Sequence, residues 1–251
     1  MAEKDSSLHE DWQDRTRLLL GHDAVDRMQR ARVLVVGLGG VGAYAAEMIC
    51  RAGVGHMTIV DGDVVDLTNL NRQLPALHST LGKPKAEVMA ARLRDINPEL
   101  DLDARQLFIH DEITARLLDS HPFDYVVDAI DSLSPKVHLV LKCRERQLPL
   151  ISSMGSGRKT DPSQIRIADI SETSHCRLAR AMRKMLRRHG VEKGVRVVYS
   201  LEESDPDAVI GYIEEETGLT KSRGGTISYL PAIFGCWCAS EVISRLTDEI
   251  S

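Results

Sequence analysis

Residues 31–42 read ARVLVVGLGGVG, an unbroken apolar, β-branched run that ends in a glycine-rich turn. A strand that is apolar on both faces suits a parallel sheet covered on both sides. The following AYAAEMICRA (43–52) reads as a helix that Gly53 can end, and HMTIVD (56–61) as a second strand. Together they make a β–turn–α–β unit of about 30 residues. Gly37, Gly39 and Gly42 fit G-x-G-x-x-G, with Gly40 among them. Glycine there permits a tight turn and close approach of phosphate to backbone, and the helix N-terminus offers N–H groups and a positive dipole. Asp61 ends the second strand, where an acid can bind ribose hydroxyls. The pattern predicts a nucleotide site but leaves NAD, FAD, S-adenosylmethionine and ATP open.

The next segment narrows the choice. DGDVVDLTNLNRQ (61–73) contains Asp63, Asn69 and Arg72, and GKPK (82–85) opens a helix with Lys85. Arg72 offers a planar fork for phosphate oxygens and Lys85 a mobile point charge. A triphosphate needs such cations, whereas a dehydrogenase does not need them beside its first ribose. VVDAID (126–131) puts Asp128 and Asp131 after a further strand, at the sheet edge where ligands bind. A carboxylate there can hold Mg²⁺ through hard oxygens, or can cap the helix that follows.

Outward from this core the alternation continues. Asp23 is placed to cap a short helix before the first strand, and 83–96 is a helix stopped by Asn97-Pro98. Strands are expected at 102–108, 124–130 and 149–153, and helices at 111–120 and 135–146. The prediction is an α/β fold: a doubly wound, mainly parallel, Rossmann-like sheet with a C-terminal α+β elaboration. One domain spans 1–251, with a nucleotide-binding core over about 15–160 and an elaboration over about 161–251. In that elaboration, 164–170 reads as a strand open to antiparallel pairing, 176–190 as a basic helix, 195–200 as a strand and 228–248 as a final helix.

Composition sets limits. The net charge of −5 argues against a uniformly basic nucleic-acid coat. It hides two opposed blocks, because residues 177–196 sum to +7 and 202–216 to −7. Arg180, Lys184, Arg187 and Arg188 fall on one helical face, and with Arg183 they form a candidate phosphate-tracking surface; a solvated surface helix is the bland alternative. Arg158 and Lys159 could add to it. An odd number of cysteines, no C-x-x-C pair, a polar N-terminus and no apolar run of membrane-spanning length predict a soluble, reducing, cytoplasmic protein with no membrane association.

RVLVVGLGGVG, TIVDGDVVDLTNLNRQ, GKPKAEV and VVDAIDS resemble the adenylation domain of the ThiF/MoeB superfamily, relatives of ubiquitin-activating enzymes. The resemblance implies activation of a carboxylate by Mg-ATP, with ATP and Mg²⁺ as cofactors. It implies that Gly39 and Gly42 lie under the phosphates, with Gly37 and Gly40 in the same turn. Asp61, with Asp63 nearby, would hold the ribose, while Asn69, Arg72 and Lys85 contact phosphates and Asp131 coordinates magnesium. Arg72, Lys85 and Asp131 thus form the catalytic set. Arg17, in TRLLLG, matches an arginine that reaches a neighbouring subunit's ATP site, which implies a homodimer.

Within the superfamily the chain is most similar to the tRNA threonylcarbamoyladenosine dehydratases, through NRQLPALHSTLGKPKAEVMAARLRDINPE, the stretch 128–170 and the tail GGTISYLPAIFGCWCASEVI. That branch implies a tRNA partner carrying threonylcarbamoyladenosine and, as a further partner, a cysteine desulfurase or sulfur acceptor. Some members carry a cysteine shortly before the final helix; here TKSRGGTI (220–227) has none, and Cys176 reads as a structural thiol. The rival reading is an adenylyltransferase acting on the C-terminal Gly-Gly of a sulfur-carrier protein. Those enzymes usually carry two C-x-x-C zinc pairs, which are absent here. An NAD-dependent oxidoreductase leaves Arg72 and Lys85 unexplained, and a non-catalytic nucleotide-binding scaffold would not need the full activation set.

Overall fold

The structure, a computed structural model, describes residues 11–213 and 220–248, and their side chains except at 212–213 and 220–223. Most of the polar N-terminus and residues 214–216 of the acidic run lie outside the described residues. Two short helices, α1 (Asp14–Leu20) and α2 (His22–Arg30), precede strand β1 (Arg32–Val36). There follow α3 (Gly42–Ala52), β2 (His56–Val60), α4 (Lys85–Ile96), β3 (Asp101–Arg105), α5 (Asp111–Leu118), β4 (Tyr125–Asp128), α6 (Leu133–Glu145) and β5 (Leu150–Ser153). The elaboration adds β6 (Ile165–Asp169), α7 (Arg177–Arg188), β7 (Arg196–Ser200), β8 (Val209–Ile213), β9 (Thr220–Gly224) and α8 (Tyr229–Thr247).

The main sheet has seven strands in the order β3-β2-β1-β4-β5-β7-β6. Every pairing is parallel except that of β6 with β7, so the expected antiparallel strand sits at the edge. Val33 to Val36 are buried, as a strand covered on both faces must be. Val36 is level with Val60 on one side and Asp128 on the other. The strand order reverses between β1 and β4, and their carboxyl ends open a crevice at this switch point.

Small residues set the layer behind the crevice. Gly53 ends α3 in the left-handed region at φ 97°, with its N–H bonded to Cys50 and Ile49 carbonyls. A Cβ on Gly235 of α8 would fall 2.4 Å from the Val41 carbonyl oxygen, so α8 and α3 touch backbone to backbone. The apolar final helix is therefore a core element, and no helix among the described residues is long and apolar enough to cross a membrane.

Four observations refine these readings. Asp23 caps nothing: α2 begins at His22 behind Gly21, and Asp23 lies in its first turn. The third strand stops at Arg105, which releases Leu107 and Phe108 from the sheet. Cys176 is the N-cap of α7, its Sγ accepting from Ala179 N at 3.4 Å. The acidic run enters a hairpin, β8–β9, that its charge concealed.

A buried ion pair and a buried carboxylate tie the layers together. Lys136 Nζ lies 3.0 Å from Asp128, and both side chains are fully buried. Ser152 Oγ donates to the same carboxylate at 2.6 Å, and Lys136 also donates to the Ile130 carbonyl at 2.9 Å. Glu241 on α8 receives Arg196 at 2.9 Å and Arg245 at 3.2 Å. Burial pushes the Glu241 carboxyl up, but these guanidinium hydrogen bonds outweigh it and hold the pKa below the ordinary 4.5.

Breaking a buried pair strands a charge. Lys136→Met should therefore lose about 3–5 kcal/mol in urea unfolding, and Asp128→Leu/Lys136→Met should recover part of it. A lowered carboxyl pKa stabilises the fold above the ordinary value and loses that contribution as pH falls through the folded value. Glu241→Gln should therefore flatten the fall of stability below about pH 4.5 in acid unfolding followed by circular dichroism. A mutant limb as steep as the native one would exclude Glu241 as its source.

Candidate active site

The glycines of the turn differ in what they do. Gly37 has φ 89°, and a Cβ there would lie 2.7 Å from the Ala129 carbonyl oxygen. A Cβ on Gly42 would lie 1.8 Å from the Gly37 carbonyl oxygen, and one on Gly40 3.0 Å from Pro231 Cβ. Gly37 and Gly42 are demanded by the chain's own packing, and Gly40 is tightly packed. A Cβ on Gly39 would meet only the Gln73 side chain, at an ordinary 3.6 Å. The fold leaves Gly39 unexplained, whereas a phosphate resting on the turn explains it.

Beside the turn, Asp61 is half-buried. Its carboxylate accepts from Leu38 N at 2.6 Å and Asp63 N at 2.8 Å. Burial pushes its pKa up against the pull of those N–H groups. Each oxygen keeps capacity for a ribose hydroxyl. The GKPK turn is clasped onto the strand exit by a Val64–Pro84 bridge and by Lys85 N donating to the Asp63 carbonyl at 3.0 Å. That clasp seats Lys85 as the first residue of α4, with its buried ammonium 2.9 Å from the Asp63 carboxylate. Asp63 thus acts first as the counter-ion that orients Lys85. Asn69 is buried in a capping box with Asp66, so it shapes the loop that carries Arg72. The Arg72 guanidinium donates to the Thr68 carbonyl and Asn71 Oδ1, both at 2.8 Å, and faces the cleft.

One cleft of about 580 Å³ gathers Gly37, Gly39, Gly40, Asp61, Asp63, Asn69, Arg72, Lys85 and Asp131. The two acids of VVDAID divide the work. Asp128 is the buried partner of Lys136, while Asp131 is exposed in the cleft and accepts from Ser132 Oγ at 3.2 Å. No cluster of three metal-ligating side chains occurs among the described residues. Asp131 therefore fits a Mg²⁺ held jointly with phosphate oxygens and water, not one held by a protein cage.

Arg17 lies outside this cleft. It is bound to Asp11 and, at 3.5 Å, to Asp14, on a helix whose Leu18 and Leu19 are exposed. On α7 the apolar stripe Ala179, Met182, Leu186 is buried, and Arg180, Lys184, Arg187 and Arg188 are exposed. Arg183 is not part of that outer face: its guanidinium donates to the Thr173 carbonyl at 2.9 Å and to the Thr173 hydroxyl. Lys159 is likewise buried and is no surface cation. Cys236 is the exposed thiol, and the other four are buried.

The cleft also contains residues that the sequence reading passed over. Phe108 lies over bare backbone, since a Cβ on Gly62 would fall 2.5 Å from its ring, and the exposed ring lines the cleft. Ser153 to Gly157, at the end of β5, form the opposite wall with Leu178 and Thr226. Lys136 could have been found as a lone cation inside an apolar helical stripe. Phe108 left no comparable signal, because its exposure depends on where β3 ends.

The glycine roles separate experimentally. Gly39→Ala should unfold within about 1 kcal/mol of the parent in urea yet weaken ATP binding about tenfold in calorimetry. Gly42→Ala should destabilise the fold outright. Unchanged ATP affinity in Gly39→Ala would remove the phosphate from this turn.

A model of the ThiF family matches residues 13–250. A tRNA threonylcarbamoyladenosine dehydratase of Bacillus subtilis (strain 168) is 39% identical over 241 residues, covering 94% of each chain. The crystal structure of the Escherichia coli tRNA N6-threonylcarbamoyladenosine dehydratase TcdA in complex with ATP superposes with a TM-score of 0.83 at 35% identity, covering 92% of each chain, and its AMP complex does so equally. A molybdopterin-synthase adenylyltransferase of E. coli (strain K12) is similar over 130 residues only, 52% of this chain. Fold, cleft and likeness over nearly the whole length agree: the chain belongs to the ThiF family.

Proposed function

We propose that this chain is an ATP-dependent tRNA threonylcarbamoyladenosine dehydratase. The observation that supports it most is one cleft in two halves. Phe108, Asp61, the glycine turn, Arg72 and Lys85 line the nucleotide half, and residues 153–157 line a second half at the end of β5. Relatives of that name share nearly the full length, including the second half. The rival carrier-protein adenylyltransferases share about half of it.

In this reading the threonyl carboxylate attacks the α-phosphorus of ATP, forming an acyl-adenylate and releasing pyrophosphate. The carbamoyl nitrogen then attacks the acyl carbon, loses its proton and expels AMP, which closes a hydantoin-type ring and removes the atoms of one water. A carboxylate oxygen is a poor leaving group and AMP a good one, so the chain need supply only charge neutralisation and alignment. Asp61 holds the ribose, and Lys85 and Arg72 neutralise phosphate oxygens. Asp131 would hold Mg²⁺, which when bound supplies further neutralisation of the phosphates.

Arg180, Lys184, Arg187 and Arg188 track the tRNA backbone from a helix that starts at the cleft, where Leu178 lines the wall. Two copies pair through α1 and the turn before it, where Leu18, Leu19 and Trp12 are exposed, and Arg17 serves the partner's nucleotide. A cysteine-desulfurase or sulfur-acceptor partner would find Cys236 as its accessible thiol; the reaction does not require it.

Mass analysis of nucleosides from tRNA incubated with Mg-ATP and the protein should show threonylcarbamoyladenosine lighter by one water. Asp131→Ala should slow that conversion about 10²- to 10³-fold. Adenylation of a Gly-Gly carrier protein with no change in the nucleoside would reverse the assignment. Arg180→Glu/Lys184→Glu should weaken tRNA binding and flatten its salt dependence while ATP binding holds. Leu18→Glu/Leu19→Glu should yield a monomer in sedimentation analysis; an unchanged sedimentation coefficient would remove α1 from the interface.

A further inference from the structure

The substrate wall is held by an interior lysine. Lys159 is 2% exposed, and its ammonium donates to three main-chain carbonyls from separate segments: Ser200 at 3.0 Å, His175 at 3.5 Å, and Glu202. Among the described residues no carboxylate forms an ion pair with it; carbonyl dipoles, with the Glu202 charge nearby, stabilise the ammonium, and burial pushes its pKa down. The residues around it are tied in turn. The Glu202 carboxylate accepts from Thr160 N at 2.9 Å and Asp161 N at 2.8 Å. The Tyr229 hydroxyl donates to the Thr160 carbonyl at 2.7 Å, and Arg158 N to the Gly225 carbonyl at 2.8 Å.

Two residues touching this clamp adopt backbone that side chains rarely tolerate. Arg158 has φ 60° and His175 φ 50°. Such conformations persist only where surrounding bonds over-determine them, and they gather at sites that need fixed geometry. Both lie at the edges of the substrate half of the cleft. Arg158 follows Gly157 of the wall, and His175 leads through Cys176 to Leu178, which lines the wall. Gly155 packs against the same turn, its notional Cβ 3.8 Å from Cys176 Sγ.

We propose that Lys159 is a positioning residue of the substrate half: its ammonium acts as a tethered monovalent cation that draws three carbonyls inward and fixes the 153–157 wall against the start of α7. The inference rests on the reading of the second half as the site of the nucleoside carboxylate. Lys159 is not among the residues that line the cleft. Its loss should therefore loosen the acceptor side while the glycine turn, Asp61 and Lys85 stay in place.

The test compares Lys159→Ala and Lys159→Met with the parent in the full-length protein, with Lys159→Gln taking the place of an alanine variant that does not fold. Hydrogen exchange should rise in peptides covering 153–157 and 175–178 and stay unchanged at 37–42. In the dehydration assay, kcat/KM for tRNA should fall about 10- to 100-fold with the KM for ATP within about twofold. Added ammonium or methylammonium should restore part of that loss in Lys159→Ala, where a cation-sized space opens, and not in Lys159→Met, where the side chain fills it. Equal losses toward ATP and tRNA, or faster exchange throughout the chain, would show a general structural role and overturn the proposal. If the parent does not dehydrate the nucleoside, the functional reading fails, and the exchange pattern still decides whether Lys159 holds the wall.

Discussion

Lys136 and Asp128 meet at 3.0 Å with no solvent at either side chain. A charge in that position costs several kcal/mol unless its partner and its remaining hydrogen bonds are all in place. Here Ser152 completes the carboxylate and the Ile130 carbonyl completes the ammonium, so the exit of β4 cannot drift without exposing the pair. The nucleotide turn depends on that exit, because Gly37 leaves β1 with space for no Cβ against the Ala129 carbonyl. Gly42 then packs on Gly37, which fixes the start of α3. Asp131 follows three residues after Asp128. The glycine turn and the candidate magnesium ligand thus take their positions from one buried ion pair.

Much of the nucleotide half was legible because its rules act through the backbone. Glycines between a strand and a helix, an acid at the end of the next strand and a lysine opening α4 leave spacings that survive in a one-dimensional string. The structure adds a distinction that spacing cannot make: Gly37, Gly40 and Gly42 answer to packing, and Gly39 alone is left for a ligand. Asp128 and Asp131 show the same limit. They differ by three positions and share a chemical type, yet one is wholly buried and the other faces the cleft.

The C-terminal elaboration was less legible, for identifiable reasons. Arg183 lies about 40° around the helix from Ala179, at the border of the buried stripe, where a guanidinium can turn inward to carbonyls as easily as outward. It turns to Thr173. TKSRG (220–224) has no apolar alternation, so β9 exists through its ladder with β8 and not through any preference of its own. Phe108 is exposed in the cleft because β3 stops at Arg105, and strand ends are among the least certain features of a sequence.

These differences follow a physical division between the two halves of the cleft. The turn of the nucleotide half is shaped by absent side chains, at Gly37, Gly39 and Gly42. The acceptor half is shaped by charged side chains turned inward: Lys159 among three carbonyls, Arg183 on Thr173 and Glu202 on the amides of Thr160 and Asp161. Several cations and acids that set the opposed charges of the tail therefore act as internal fasteners and not as surface. The net charge of −5 averages over this architecture. Once the buried groups are set apart, the exposed remainder of α7 carries five cations, Arg177 with Arg180, Lys184, Arg187 and Arg188, on one face, starting where the acceptor wall begins. A polyanionic substrate held by that face would enter the cleft from the side opposite the nucleotide, as attack of its carboxylate on the α-phosphate requires.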